Sequence, residues 1–175
     1  MKLPFDVPEE AVYFLAGSLP FAAILHLRCL SLFGMICNLP DNIIYRVANM
    51  ALLTALPAHR SLFLMIRDVC LQYGLQHPLL SLEHPLPPSR YKSVCKEKVY
   101  EYWHSKFALR CLDLSSLRYF QPYFLSLSRT HPIWSSLDGS PYQSKAAHVQ
   151  ALLLTGRYRT ERLKRFWTPK NRVKA

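Results

Sequence analysis

Cationic and aromatic side chains alternate at the C-terminal end of the chain. The segment 157–175 holds eight Lys and Arg residues against one acid, Glu161. Its cations are Arg157, Arg159, Arg162, Lys164, Arg165, Lys170, Arg172 and Lys174. Such cations pair with phosphates, and the ring of Tyr158 can stack on a base for about 1–3 kcal/mol. We therefore expect these residues to contact RNA or DNA, although a charge run can also be a solvated surface without a ligand.

The positive charge is confined to one half of the chain. Residues 1–85 carry five bases and six acids, for a net charge of −1, whereas residues 86–175 carry seventeen bases and five acids, for +12. A charge asymmetry of this kind indicates a polyanionic partner, most often nucleic acid.

Motifs for catalysis are missing from the sequence. It has no Gly-rich phosphate loop, no G-x-S-x-G and no H-E-x-x-H. Its acids are scattered, and Glu97 with Glu101 is typical of a solvated helix face. We therefore expect no catalytic residue and no cofactor, so that the chain is not an enzyme by itself.

The five cysteines predict reduced, buried thiols in the cytoplasm or nucleus, because their number is odd and no C-x-x-C pair occurs. A zinc site is a second interpretation of one region. Its candidate ligands are His84, Cys95, His104 and Cys111. Their spacing matches no zinc template, so we expect no metal site.

The composition predicts an all-α chain, because five glycines are too few for a fold dense in tight turns, while thirteen prolines suit helix starts. We expect two small helical lobes and a tail. These are an apolar lobe at 1–77, a Pro-rich linker at 78–88, a basic lobe at 89–167 and a disordered basic tail at 168–175.

Periodic apolar residues predict which side of each helix is buried. The first predicted helix starts at Pro8 and ends at Gly17. The third, capped by Asp41, is expected to bury one set of side chains: Ile43, Ile44, Val47, Ala48 and Ala51. A helix over 60–73 is expected to bury Phe63, Ile66 and Cys70. A helix from Ser89 to about Cys111 repeats apolar residues every four positions, and these are Tyr91, Cys95, Val99, Trp103 and Phe107. The last predicted helices begin at Ser140-Pro141 and at Thr160, and the latter packs Leu163, Phe166 and Trp167 on one face.

One stretch, 19–39, is long and apolar enough to span a bilayer, but Arg28 lies near its centre. A central Arg costs roughly 2.5–3.5 kcal/mol on insertion scales. We therefore expect a core helix and no membrane association. Because this helix is apolar nearly all round, the first half is expected to need a protein partner or to self-associate.

Several strings, in this order, resemble a known family. They are VYFLAGSLP at 12–20, LHLR at 25–28, LSLFGMI at 30–36, IRD at 66–68, QY at 72–73, HPIW at 131–134 and GRYRT at 156–160. Together they resemble the region after the reverse transcriptase domain in LINE-type, non-LTR, jockey-like retrotransposon polyproteins of animals. The resemblance covers about residues 3–167.

The resemblance implies a nucleic-acid-binding fragment of such a polyprotein. The family's nuclease and polymerase activities are expected upstream, and this chain has no Asp-Asp pair. The family tends to continue past GRYRT into a Cys/His cluster, but residues 168–175 contain neither Cys nor His. Two alternatives stay open. The chain could be a structural module that docks on another protein through its apolar first half, or it could be a reading frame without function.

Overall fold

A computed structural model describes residues 7–54, 61–114, 117, 127–135, 137 and 140–155. Within these ranges the chain is helical and has no strand, which confirms the predicted all-α class. The helices are α1 (Glu9–Ala16), α2 (Phe21–Cys37), α3 (Ile43–Leu53), α4 (Leu62–Gln72), α5 (Pro78–Glu83), α6 (Pro88–Asp113), α7 (Pro132–Ser135) and α8 (Pro141–Leu154). The predicted helix at Thr160 and the predicted tail at 168–175 lie outside the described residues.

Two compact units make up the chain, and each is described by itself. One combines Met1–Ser18 with Phe107–Ala175, and the other is Leu19–Lys106. The lobes predicted at 1–77 and 89–167 do not match this division. The boundaries differ because α1 belongs with residues from the far end of the sequence, a pairing that no local pattern reveals.

The core of the second unit lies among α2, α4 and the first part of α6. Leu30 and Phe33 of α2, Ile66 of α4 and Val99 of α6 are fully buried. Phe63 and Cys70 of α4 are buried as well, so the predicted inner face of this helix is confirmed. On α6, four of the five residues predicted to share a face are buried, namely Tyr91, Cys95, Val99 and Phe107, and Trp103 is half-buried.

The segment 78–88, predicted as a linker, is instead part of the second unit. Pro78 opens α5, because a proline needs no hydrogen-bonding N–H in the first helical turn. Nδ1 of His77 accepts a hydrogen bond from the N–H of Leu79 at this helix start. After α5, Nδ2 of Asn38 donates to the carbonyl oxygen of Leu86 over 2.9 Å. The prolines therefore bound a short helix that packs within the unit.

The predicted inner face of α3 is wrong. Ala48 is buried as expected, but Ile43 is 74% exposed, and Ile44 and Val47 are exposed as well. The buried face instead contains Ala48 and Leu52. Tyr45 is consistent with this orientation, because its hydroxyl donates a hydrogen bond to the carbonyl oxygen of Leu82 in α5. The predicted cap also shifts by one residue, since Asn42 rather than Asp41 accepts from a backbone N–H of the first turn.

Only one side of α2 is covered by its neighbours in the second unit. Leu30, Phe33 and Cys37 are buried, whereas Phe21 and Met35 are exposed. No single helix within the described residues is long and apolar enough to cross a membrane. Taken together, α1 and α2 reach the required length and composition only as a bent pair.

In the first unit, α1 packs on the last turns of α6. The ring of Tyr13 stacks on that of Phe107 with 5.3 Å between centroids, and Phe14 meets Phe107 edge-on at 6.1 Å. Gly17 ends α1 with a φ of 62°, as predicted for a glycine stop. A side chain at Gly17 would collide with the backbone of Arg129, so this glycine also permits a close approach of two chain segments.

Candidate nucleic-acid interface

The eight cations and the one tyrosine predicted to contact nucleic acid lie outside the described residues. This applies to Arg157, Tyr158, Arg159, Arg162, Lys164, Arg165, Lys170, Arg172 and Lys174. Their placement therefore stays a prediction. What the structure describes of the basic half is dominated by α6, which carries exposed cations of its own.

The sequence favours one long helix at α6 because no glycine or proline occurs between Ser89 and Asp113. Pro88 is its first residue, a position where a proline is tolerated. The helix contains six Lys and Arg residues and three acids. Its exposed cations therefore project from a rigid element rather than from a loop.

Cations and rings form a continuous row along α6, which we call the α6 row. The row consists of Lys92, Lys96, Tyr100, Trp103 and Lys106. Successive members are three or four residues apart, so each is a neighbour of the next on the helix surface. The three lysines are exposed and the two rings are half-buried. Sequence reasoning missed this row, although the spacing of Lys92, Lys96 and Tyr100 was a visible signal.

Two lysines of the α6 row lie over its rings. Nζ of Lys106 is 4.6 Å from the ring centroid of Trp103 and 5.9 Å from that of Tyr102. Nζ of Lys96 is 5.7 Å from the centroid of Tyr100. An exposed contact of this kind contributes about 0.5–1 kcal/mol, so an incoming phosphate can draw the ammonium away from the ring. The row can thus bind phosphate without unfolding any contact of the core.

The acids of α6 lie beside this row rather than in it. Glu97 and Glu101 are exposed, as predicted for a solvated face. Glu101 pairs with Lys98, whose Nζ lies 2.9 Å from its carboxylate oxygen. In the first unit, Arg110 pairs with Glu10 over 3.5 Å. Lys92 and Lys96 have no carboxylate partner within the described part of the chain.

A hydrogen-bonded chain holds Trp103 in place behind the α6 row. Its indole Nε1–H donates to the hydroxyl of Tyr73 over 3.0 Å, and this hydroxyl lies 2.8 Å from Nδ1 of His26. Because the Tyr73 oxygen accepts from Trp103, its own proton is available for His26. Desolvation lowers the pKa of His26, which favours the neutral ring, and a neutral ring protonated on Nε2 accepts this proton at Nδ1. The chain therefore fixes one ring of the α6 row relative to α2 and α4.

The buried thiols of the core are expected to be unreactive. Burial raises the pKa of Cys37 and of Cys70 to about 12, and that of Cys95 to about 11. Thiolates are the form that binds metals and attacks electrophiles, so these side chains are poorly suited to either role. Within the described residues, no group of three or more His, Cys, Asp or Glu side chains could hold a metal ion.

The chain was compared with protein families, curated proteins and solved structures. No family model, no curated protein and no solved structure matches this chain.

Proposed function

We propose that this chain binds nucleic acid through its basic half, as a non-catalytic part of a LINE-type retrotransposon polyprotein. The observation that carries the proposal is the charge asymmetry, −1 in residues 1–85 against +12 in residues 86–175. Two sets of cations serve the binding. One is the α6 row, and the other is the cationic segment 157–175.

The chemistry of both sets suits a phosphate backbone more than a base sequence. Lysine ammonium groups on a helix bind phosphates as point charges and carry no base preference. The rings of Tyr100 and Trp103 are half-buried, which leaves Tyr158 as the better candidate for stacking on a base. The expected binding is therefore sequence-tolerant, strong at low salt and weak at high salt.

A titration of a fluorescent single-stranded RNA at several salt concentrations tests the proposal. If about four to six phosphates are neutralised, the logarithm of affinity falls against that of salt with a slope of about −3 to −4. Changing Arg157, Arg159 and Arg165 together to Gln flattens this slope by about two. Binding that ignores salt, or no binding at low salt, contradicts the proposal.

A matched pair of double variants locates the interface on α6. Lys92→Gln with Lys96→Gln removes two positive charges from the α6 row, and we expect a slope flatter by about one. Arg28→Gln with Arg46→Gln removes the same charge from exposed sites of the other half, and the slope should not change. Equal flattening by both pairs would show that net charge alone, not a localised interface, drives the binding.

A further inference from the structure

The exposed side of α2 carries a regular apolar pattern. Phe21, Leu25, Arg28, Leu32 and Met35 follow one another at alternating intervals of four and three residues. We call this set the α2 seam. Alternation of four and three keeps side chains on one stripe of a helix, and it is the spacing with which two helices interlock in a coiled coil.

Each apolar member of the α2 seam is open to solvent. The exposed fraction is 72% for Phe21, 42% for Leu25, 44% for Leu32 and 49% for Met35. Ile24 beside them is 38% exposed. Half-exposed side chains of this size add up to a few hundred Å² of contiguous apolar surface, which is the size at which a patch marks an interaction site.

The neighbours of α2 do not cover this stripe. Among the described elements, α2 packs against α3, α4 and α5 and, through Phe33 and Gly34, against Tyr91 of α6. The buried residues of α2, among them Ala23, Leu30 and Phe33, lie on the side opposite the α2 seam. The helix therefore has two apolar sides, one packed within the second unit and one that no described element covers.

Arg28 decides what kind of helix fits the α2 seam. It is exposed, lies midway along the stripe, and has no ion pair or hydrogen bond within the described residues. A partner that covers the stripe also covers this guanidinium, and a buried charge without a partner is costly. The occupant must therefore bring a carboxylate to this point.

A second copy of this chain that pairs through its own α2 does not satisfy that requirement. If two α2 helices pair in parallel, Arg28 faces Arg28. If they pair antiparallel, Arg28 faces either Arg28 or an apolar side chain such as Leu32. In each case a guanidinium is buried against a like charge or against no charge, which disfavours the pairing.

From these observations we propose that α2 is a docking helix for an amphipathic helix of another protein, which carries Asp or Glu opposite Arg28. The apolar side chains of the α2 seam supply the contact area, and the single ion pair sets the register, as one polar pair does in a coiled coil. This inference is independent of nucleic-acid binding, since it uses the acidic half of the chain and no residue of the α6 row.

The experiment uses the whole chain and two designed helical peptides of about 21 residues, or three heptads. Both peptides carry leucine at the interlocking positions, and they differ only by Glu or Lys at the position facing Arg28. Binding is measured by fluorescence anisotropy of the labelled peptides. We expect the Glu peptide to bind at least about tenfold more tightly than the Lys peptide, because like charges in the seam repel.

Charge reversal in the protein provides the decisive control. Arg28→Glu should invert the preference, so that the Lys peptide binds more tightly, while Arg46→Glu on α3 should leave it unchanged. Because Arg28 is exposed and unpaired, this variant should keep the helical circular dichroism of the parent. Leu32→Glu, in the middle of the seam, should weaken both peptides.

Three results would overturn the proposal. One is equal binding of the two peptides, or none of either. Another is a concentration-dependent dimer of the unmodified chain in sedimentation velocity that Leu32→Glu disrupts, which would make a second copy the occupant. The third is binding of vesicles with anionic lipid that Leu32→Glu abolishes while neither peptide binds, which would make a lipid surface the occupant.

Discussion

The indole Nε1–H of Trp103 donates to the hydroxyl oxygen of Tyr73 over 3.0 Å. This bond connects the middle of α6 to the end of α4, two elements that are thirty residues apart in sequence. It also orients the Tyr73 hydroxyl toward His26, so that one oxygen serves partners on two helices.

Tyr73→Phe removes this oxygen and leaves a half-buried N–H and a half-buried ring nitrogen without a partner. We expect a loss of about 1–3 kcal/mol in the free energy of unfolding, measured by urea denaturation. Tyr102→Phe is the matched control, because the Tyr102 hydroxyl makes no hydrogen bond within the described residues and its ring contacts stay. That control should change stability by less than about 0.5 kcal/mol. An equal loss of unfolding free energy in both variants would show that the hydrogen bonds of the Tyr73 hydroxyl do not stabilise the fold.

Stability should fall as the solution becomes acidic. Desolvation lowers the pKa of His26 and that of His131 below the ordinary value of 6.5, so the unfolded chain binds protons more readily than the folded one. The stabilisation from neutral imidazole is therefore complete above this value and is lost as the pH falls below it. Urea unfolding between about pH 8 and pH 5 measures the slope.

Replacing both histidines by asparagine isolates their part of this slope. Asparagine does not titrate, and its side-chain oxygen can still accept from the Tyr73 hydroxyl and from the N–H of Ile133, which His131 caps. We expect the double variant to lose less stability between neutral and acidic pH than the parent. An unchanged slope would assign the pH dependence to other groups.

Cys29 should react with a thiol reagent faster than the other four cysteines. Cys37, Cys70, Cys95 and Cys111 are buried, and burial raises the pKa of Cys111 to about 11. Cys29 is partly exposed. Under native conditions a thiol reagent should modify Cys29 first, and Cys29→Ser should remove the fast phase followed by mass spectrometry. Rapid modification of any other cysteine without denaturant would contradict the described packing.

Gly34→Ala should destabilise the chain, although alanine is the better helix former by about 1 kcal/mol. A methyl group at Gly34 would collide with the ring of Tyr91, which is buried and cannot easily move. Overpacking of this kind costs about 1–3 kcal/mol, so steric repulsion should exceed the gain in propensity. Thermal unfolding checks the sign. In a Tyr91→Leu background the same change should be harmless or stabilising.

Local structure was predictable from the sequence wherever the deciding residues are neighbours. Gly17 ends α1 as expected, since a left-handed residue closes a helix by itself. Ser140 and Pro141 begin α8 as expected, because a proline favours the first helical position. The inner face of α4 also followed from periodicity, since Phe63, Ile66 and Cys70 recur at helical spacing and the charged residues Arg67 and Asp68 are on the other side. The α6 row was also predictable, because Lys92, Lys96 and Tyr100 are four residues apart in the sequence. The prediction was placed at 157–175 because the density of positive charge is highest there.

Tertiary structure alone decided how the apolar faces are used and where the chain divides. Both α2 and α3 have more than one apolar side, and periodicity cannot say which side a neighbour will cover. In α3 the neighbours α2, α4 and α5 cover the side with Ala48 and Leu52, Tyr45 bonds to α5, and Ile43 and Val47 are exposed. The assignment of α1 to the last turns of α6 depends on ring contacts between Tyr13 and Phe107, which are distant in sequence. Such pairings are set by shape and packing over the whole fold, so no window of the sequence contains them.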